Sequence, residues 1–431
     1  MLTAEENELV TRTGPGTPMG EVMRRYWMPA ALSSELAEPD GAPVRVKLLG
    51  ERLVAFRDSS GKVGLVDEFC AHRRASLFLG RNEENGIRCV YHGWKYDVNG
   101  TCLETPTEPA GSNFKDKIRI KSYPALEMGG LVWAYLGPKE KTPPPPKFEF
   151  TQVPETHRYM TKTWEECNWL QALEGAIDSQ HASYLHRALT SDKVRSRYGQ
   201  SASGYRARST TPSHDADVTD YGVMFASVRP LGDEGDYVRI YHFVMPFYSL
   251  RAAQQGIGGE VKRPIVAGHM WVPMDDENCM VYDWLYSFGE APIDVKWRDE
   301  FEWGSGRGPE DRTLDFRKTK NRTNNWLIDR KAQKTLGFSG IEGINTQDHA
   351  VQESMGPIVD RTQEHLGTSD KAIIAVRRLL IKAARSIGDG IDPPGTGSEY
   401  YSLRAIDKIV PSESDWKQSL QGEIHAAPSR T

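Results

Sequence analysis

One spacing constrains this chain more than any other feature. Residues 69 to 97 read FCAHRRASLFLGRNEENGIRCVYHGWKYD: Cys70 and His72 have one residue between them, sixteen residues follow, and Cys89 and His92 have two between them. Two thiols and two imidazoles in that order make a metal-ligand set, and three readings compete: a closed zinc site, an iron–sulfur cluster, or chance. A zinc knuckle pairs Cys with Cys two to four residues apart and then His with His. Here each loop offers one of each. That mixed pairing suits a [2Fe–2S] cluster of Rieske type, in which two thiolates hold one iron and two imidazoles the other. The cysteine count agrees. Five, an odd number in a long chain whose opening MLTAEENELV is acidic where a signal peptide would be basic, makes no disulfide framework. On this reading Cys70 and Cys89 are ligands, and Cys102, Cys167 and Cys279 are ordinary buried thiols.

The surroundings of these pairs read as short strands. Residues 44–65, VRVKLLGERLVAFRDSSGKVGL, alternate apolar and polar residues between turn signals at Gly50-Glu51 and at Ser59 to Lys62. The pattern continues through CVYHGWKYDVNGTCL, with an Asn99-Gly100 turn, and through GGLVWAYLGP. The Cys/His pairs therefore fall on two loops of a small antiparallel β domain. PKEKTPPPPKFEF follows as an extended connector. A chain of 431 residues can bury two cores, which divides it into residues 1–145, with an N-terminal arm and the proline-rich linker, and residues 146–431. The second part reads as α+β. YVRIYHFVMPFYSL is a strand, GHMWVPMDDENCMVYDWLYSF a hairpin turning at Asp275 to Asn278, and helices are predicted at 168–186 and 369–388. A formal net charge of -5 gives no basic footprint for nucleic acid, and no apolar run approaches the roughly 20 residues of a membrane span. The expected location is the cytoplasm.

A second ligand set lies in the 168–186 helix. Within LEGAIDSQHASYLH, Glu174, Asp178 and His181 are spaced to share one helix face, while His186 falls about 140° further round than His181. The helix is expected to distort or end between the two histidines. Two imidazoles and a carboxylate with positions left open form the facial triad of non-haem Fe(II) sites. Taken alone, two histidines five apart are as readily a solvated or core pair. A Rieske cluster moves electrons one at a time, and an iron site in the same chain gives them a destination.

With Gly93-Trp94 behind it, the Cys/His segment resembles the Rieske domain of ring-hydroxylating oxygenases, whose pattern is Cys-x-His, about sixteen residues, Cys-x-x-His. One departure is that Ala71 and Arg74 stand where that family commonly has Pro and Gly. LEGAIDSQHASYLH is similar to the α-subunit motif acidic-x-x-x-Asp-x-x-His-x-x-x-x-His. GPGTPMGEVMRRYWMPA and NWLQALEGAIDSQHASYLH resemble in particular the phthalate-dioxygenase-like group, whose α-subunits work without a β-subunit. The resemblance implies a second domain of helix-grip (START-like) form, a curved antiparallel sheet closed by a long C-terminal helix. It implies a mononuclear Fe(II) held by His181, His186 and a carboxylate. NTQDHAVQESMGPI offers Asp348 in the Asp-x-x-Val-x-Glu form of similar oxygenases, with Glu353 and Asp360 as rivals. It further implies that Asp178 hydrogen-bonds His181 and His92 of the partner subunit, hence a head-to-tail trimer or a stack of trimers.

The function implied is that of a terminal oxygenase. A separate NAD(P)H-dependent flavin/iron–sulfur reductase supplies electrons, and O2 is activated beside an aromatic substrate, by cis-dihydroxylation or by O-demethylation of a methoxy group. Resemblance to the phthalate group, together with Arg206, Arg208, Arg239 and Arg251 in the segment after the iron histidines, points to a substrate carboxylate held by guanidinium. The rivals from other classes are an electron-transfer protein whose second domain merely binds a ligand, and a zinc-dependent scaffold.

Overall fold

The computed structural model describes residues 1–190, 197–199, 204–253, 264–397, 400 and 402–424. The hairpins of the first half become three small antiparallel sheets. Trp27–Leu32 pairs with Leu131–Tyr135, which pairs with Ala125–Met128. Val44–Leu48, Glu51–Arg57, Val63–Asp67 and Ser122–Tyr123 form a second sheet, and Arg81–Glu83, Gly86–Arg88, Lys95–Tyr96 and Cys102–Glu104 a third. The second and third sheets enclose a core of Val54, Phe56, Val66, Leu77, Ile87, Trp94 and Tyr96, into which Cys70 and Cys89 project. The two Cys/His loops, 68–80 and 89–94, close this small core at one end.

The second half is built on one antiparallel sheet of eight strands. Its order is Arg158–Glu165, Cys279–Ser287, Ile265–Pro273, Tyr248–Ala252, Asp236–Val244, Gly222–Pro230, Ser213–Val218, with Ile406–Val410 paired to the lower part of Asp236–Val244. The expected hairpin is the central pair Ile265–Pro273 and Cys279–Ser287. Gly268 is required there. A Cβ on it would meet the Trp284 ring at 2.0 Å, so the glycine lets the indole lie flat across the sheet. The expected single strand over YVRIYHFVMPFYSL is two, Asp236–Val244 and Tyr248–Ala252. The break falls at Pro246, which has no N–H to offer a ladder. The long helix forms as expected over Lys371–Ser386 and packs Ile373, Val376, Leu380 and Ala383 into the core beneath the sheet.

The N-terminal arm runs to that same helix. Ala4–Thr11, capped by Thr3 and Glu6 in a reciprocal box, and Pro18–Met23 bury Val10, Met19, Val22 and Met23 in the core that holds Val376 and Leu380. Glu6 also pairs with Arg385 at 3.0 Å. The hairpin tip at Leu49 and Gly50 donates backbone hydrogen bonds to Pro273 and Met274 of the large sheet, at 3.0 and 2.8 Å. First and last thirds of the chain thus share one packed body.

The predicted 168–186 helix is shorter than its sequence pattern suggests. It runs Trp169–Ile177, with Asn168 as N-cap, and stops at Asp178, whose φ of -89° and ψ of 99° are extended. The cause is local. The Asp178 carboxylate accepts from the N–H groups of Gln180 (2.7 Å) and His181 (3.3 Å), a turn that competes with the next helical hydrogen bonds. His181 opens a separate 3-10 turn, His181–Ser183. Glu174, Asp178 and His181 therefore do not share a helix face, and the helix ends before both histidines rather than between them.

Candidate metal centres

The two Cys/His loops are built alike. Cys70 N–H donates to the Ala75 carbonyl and Arg74 N–H returns to the Cys70 carbonyl, both at 2.9 Å; Cys89 N–H donates to Trp94 (2.8 Å) and Gly93 N–H returns to Cys89 (2.9 Å). Each loop needs a left-handed residue at its fifth position, Arg74 at φ 59° and Gly93 at φ 76°. Glycine adopts that conformation without strain, whereas arginine there costs about 1 kcal/mol. Stacking on Phe69, 4.6 Å from the ring centre, and an Asp67 contact at 3.3 Å offset this cost for Arg74. That is the physical content of the departure from the glycine common at this position.

The donor atoms of the loops converge. The proximity of the Cys70 and Cys89 sulfurs draws Cys70 down to about 6, against the opposing effect of burial, and pushes Cys89 up. Tyr96 Oη accepts from Ala71 N–H at 3.2 Å and is in hydrogen-bond contact with Cys70 Sγ at 3.3 Å. The His72 and His92 rings lie 4.5 Å apart edge to face, and His72 stacks on Trp94 at 4.6 Å. His92 Nδ1 is buried with no hydrogen-bond partner among the described residues. A [2Fe–2S] group needs two sulfurs and two ring nitrogens; it fits this set and would satisfy that orphaned nitrogen.

The second constellation is assembled from distant parts of the chain. His181 Nε2 and His186 Nε2 lie 3.1 Å apart, and Asp348 Oδ1, on the Ile344–Ser354 helix, is 3.6 Å from the first and 3.1 Å from the second. The opposite ring nitrogens are both engaged. His181 Nδ1 donates to the Asp178 carbonyl at 2.5 Å, and His186 Nδ1 meets Gln347 Oε1 at 2.8 Å. The Gln347 amide is oriented by its own donation to Ile341 O (2.8 Å) and Tyr198 O (3.3 Å), so Oε1 can only accept. Both imidazoles thus carry their proton on Nδ1 and turn bare Nε2 lone pairs toward Asp348. Burial, followed by the neighbouring His186, lowers His181 and keeps it neutral. Two lone pairs and an anion in contact, with no proton to share, suit a divalent cation. Glu353 is elsewhere, accepting from Trp326 Nε1 (2.8 Å) and Glu166 N–H (3.3 Å), and Asp360 is an exposed cap for Thr362.

Both constellations fall within stretches that match known families. Residues 26–124 match the family described as Rieske [2Fe-2S] domain, and residues 134–430 the family described as LigXa C-terminal domain like. The chain belongs to the Rieske non-haem iron oxygenases. The 3-chlorobenzoate-3,4-dioxygenase oxygenase subunit of Comamonas testosteroni is 38% identical over 98% of this chain and 99% of its own. The phthalate 4,5-dioxygenase oxygenase subunit of Pseudomonas putida is 39% identical over 97% and 94%. Dicamba monooxygenase bound to dicamba shares the fold, with a TM-score of 0.60 and 19% identity over 85% of this chain and 99% of that one. This Rieske oxygenase is accordingly an oxidoreductase, the oxygenase component of a multicomponent system, and members of its family use a Rieske [2Fe–2S] cluster and a mononuclear iron. No helix among its described residues is long and apolar enough to cross a membrane.

The remaining residues singled out in the sequence of this oxygenase separate into two groups. Glu174 turns away from the histidines into a buried ion-pair cluster, with Arg361 at 2.9 Å and Arg377 at 2.6 Å. It fixes the helix that precedes His181 and His186. Arg208 is exposed and forks onto Glu234, which removes it from the expected guanidinium set. Arg206, Arg239 and Arg251 do come together, and Arg229, which sequence reasoning missed, joins them. Strand register explains the grouping. Arg239 and Tyr241 point to the same face; Ser227 lies opposite Arg239, and Arg251 opposite Tyr241. Burial, then Arg239, pushes Arg206 down to about 10 and Arg251 down to about 9, so both stay cationic at neutral pH. Among the described residues no carboxylate forms an ion pair with Arg229, Arg239 or Arg251, and the Nε atoms of Arg229 and Arg239 are buried without a partner. Burial would raise the Tyr241 phenol, but Arg239, Arg206 and Arg229 reverse this and hold it below its usual value.

This cationic cluster adjoins the histidine pair. Arg229 Nη2 donates to the Ser179 carbonyl (3.1 Å), and Ser179 Oγ lies 3.0 Å from both Tyr241 Oη and Ser227 Oγ. Ser179 follows Asp178 directly and precedes His181 by two positions. Gln347, Ser179, Arg229 and Tyr241 are not singled out by the sequence motifs, and the available local signal is strand alternation, which puts Tyr241 on the face of Arg239 and Arg229 on that of Ser227.

Proposed function

We propose that this oxygenase hydroxylates an aromatic substrate bearing at least one carboxylate, with Cys70, His72, Cys89 and His92 holding the cluster and His181, His186 and Asp348 the mononuclear Fe(II). When bound, the two groups supply electron delivery and O2 activation. The chain's own part is to position, charge and enclose. One observation carries the substrate reading: buried guanidiniums without carboxylate partners, within one hydrogen bond of the segment that presents the iron histidines. A buried cation with no anion in contact is costly, and a substrate carboxylate satisfies it by accepting from two parallel guanidinium N–H donors while fixing which ring carbon faces the histidines. Both relatives above are named for substrates of this kind, 3-chlorobenzoate and phthalate.

The reading extends to assembly. Asp178 is 27% exposed, and among the described residues its Oδ2 accepts no hydrogen bond. We infer a head-to-tail trimer, or a stack of trimers, in which that carboxylate receives His92 of the partner subunit. The working division is residues 1–145 around the cluster and 146–431 around the iron. The site of action is the cytoplasm, where NAD(P)H feeds the reductase and thiols stay reduced.

The deciding experiment is substrate-dependent oxygen uptake with a surrogate reductase across benzoates, phthalates, methoxybenzoates, toluene and naphthalene, with products identified by mass. Carboxylates are expected to support coupled uptake and neutral aromatics not; equal uptake with toluene overturns the reading. Product mass separates ring dihydroxylation from O-demethylation. Arg239→Met is expected to raise KM by about ten- to a hundredfold, the roughly 1.5–3 kcal/mol of a charged hydrogen bond, with the visible spectrum intact. Cys89→Ala is expected to abolish the red-brown colour and the low g-average resonance of the reduced cluster, whereas Cys102→Ala and Cys167→Ala keep both.

A further inference from the structure

The helix that ends at Asp178 and the helix that carries Asp348 are joined by buried amides. Trp169–Ile177 and Ile344–Ser354 run antiparallel, so that numbers rising along one meet numbers falling along the other. Asn168 N–H donates to Pro357 O at 2.8 Å. Gln171 Nε2 donates to Gly356 O (2.8 Å) and Gln352 O (3.0 Å), while its Oε1 accepts from Val359 N–H (2.8 Å). Gln352 Nε2 returns to Ala172 O at 3.0 Å. Both glutamines are buried. Gly175 completes the junction, because a Cβ on it would meet Gln352 Nε2 at 2.0 Å; glycine leaves the space that this amide fills. About one further helical turn along the same pairing lie Asp178, three residues after Gly175, and Asp348, four residues before Gln352.

We infer that Gln352 and Gln171 are positioning residues that set how far Asp348 stands from His181 and His186. Apolar side chains of the same length would fill the junction but hold it by shape alone. Each amide instead binds a particular backbone carbonyl, which fixes the register of one helix along the other, where one residue is about 1.5 Å. That register controls the site. Asp348 Oδ1 stands 3.6 Å from His181 Nε2 and 3.1 Å from His186 Nε2, and a metal tolerates its donors only within about 0.2 Å of their preferred distances. A slip well short of one residue exceeds that tolerance. Two features suit this role. The amides are neutral, so they place no charge behind the buried carboxylate. Ala172 O lies inside its helix, and a carbonyl has two lone pairs, so Gln352 binds it without displacing the helical partner. His186 is referred to the same helix through Gln347 Oε1, and His181 to the end of the other through the Asp178 carbonyl. The inference rests on the proposed ligand set of His181, His186 and Asp348, and its test keeps the two apart.

The probe is Co(II), titrated into full-length enzyme stripped of its mononuclear metal by chelation, with the cluster kept oxidised and therefore diamagnetic, and read by the paramagnetic resonance of the bound ion. Gln352→Met keeps length and volume and removes the donor to Ala172 O. It is expected to weaken Co(II) binding about ten- to a hundredfold, the usual effect of losing an outer partner of a metal site, and to alter the resonance of the ion that still binds, with the visible spectrum of the cluster unchanged. Gly175→Ala, which drives the same amide off its carbonyl, is expected to act alike. A purely structural role would lower the melting temperature and leave Co(II) affinity and resonance as in wild type; that result in Gln352→Met overturns the inference, as does a loss confined to Gly175→Ala, which would show bulk rather than the amide at work. Where Gln352→Met does not fold, Gly175→Ala and Gln171→Met carry the test, and wild-type affinity and resonance in both overturn it. Co(II) binding that survives in Asp348→Ala sinks the ligand reading instead.

Discussion

Asp348→Ala is expected to leave a red-brown protein that binds no mononuclear iron and does not turn over. The Nδ1 protons of His181 and His186 are committed to the Asp178 carbonyl and Gln347 Oε1, so the Nε2 lone pairs stay aimed at the vacated position. Two neutral ligands alone hold Fe(II) weakly, and the only anion within 3.6 Å of either Nε2 among the described residues is removed. The fold should survive, because a carboxylate squeezed against two lone pairs contributes little without the cation. Metal analysis should find two irons per chain, those of the cluster, where wild type has three, and turnover should fall below detection. Glu353→Ala makes the control. It strips partners from Trp326 Nε1 and Glu166 N–H, which costs stability, about 1–3 kcal/mol, but leaves the third iron in place. Full iron in Asp348→Ala with loss in Glu353→Ala would mean that the other carboxylate is the ligand.

What the sequence made legible follows from how far each feature reaches along the chain. The cluster loops are short and self-contained, so the spacing of Cys70, His72, Cys89 and His92 reflects local turns that each close within six residues. The long helix announces itself through the period of Ile373, Val376, Leu380 and Ala383. The end of the 169–177 helix was misread because apolar spacing cannot show that Asp178 will fold back onto the backbone of Gln180 and His181. The guanidinium set was half legible. Alternation along Asp236–Val244 places Arg239 inward, but which arginines meet it depends on cross-strand register with Gly222–Pro230 and Tyr248–Ala252. Hence Arg229 was missed and Arg208, pulled outward by Glu234, was wrongly included. Glu174 shows the limit most plainly. Its spacing from Asp178 suggests a shared site, while its partners Arg361 and Arg377 lie 187 and 203 residues away.

For Asp178→Asn the expected result is retention of both metal groups and of the oligomer, with turnover reduced by orders of magnitude. Two parts of this residue act differently. Its carbonyl takes the Nδ1–H of His181, and asparagine keeps that carbonyl, so the tautomer and the iron ligand set persist. Its Oδ1 caps the turn through Gln180 N–H and His181 N–H, and an amide oxygen can do the same, so the backbone that places His181 also persists. What changes is Oδ2, which lies 3.9 Å from His181 Nδ1 and is partly exposed. In the proposed assembly this oxygen accepts a proton-bearing nitrogen of His92 from the partner subunit; an NH2 group in its place donates instead of accepting and carries no charge. The link between the two histidines is then broken while each keeps its own metal. The informative measurement is the reoxidation rate of a prereduced cluster on adding substrate and O2 in a single turnover. A fall there, with unchanged iron content and substrate affinity, locates the defect in transfer between the centres. An unchanged rate would remove Asp178 from the electron path and leave it as a turn-forming residue whose carbonyl orients His181.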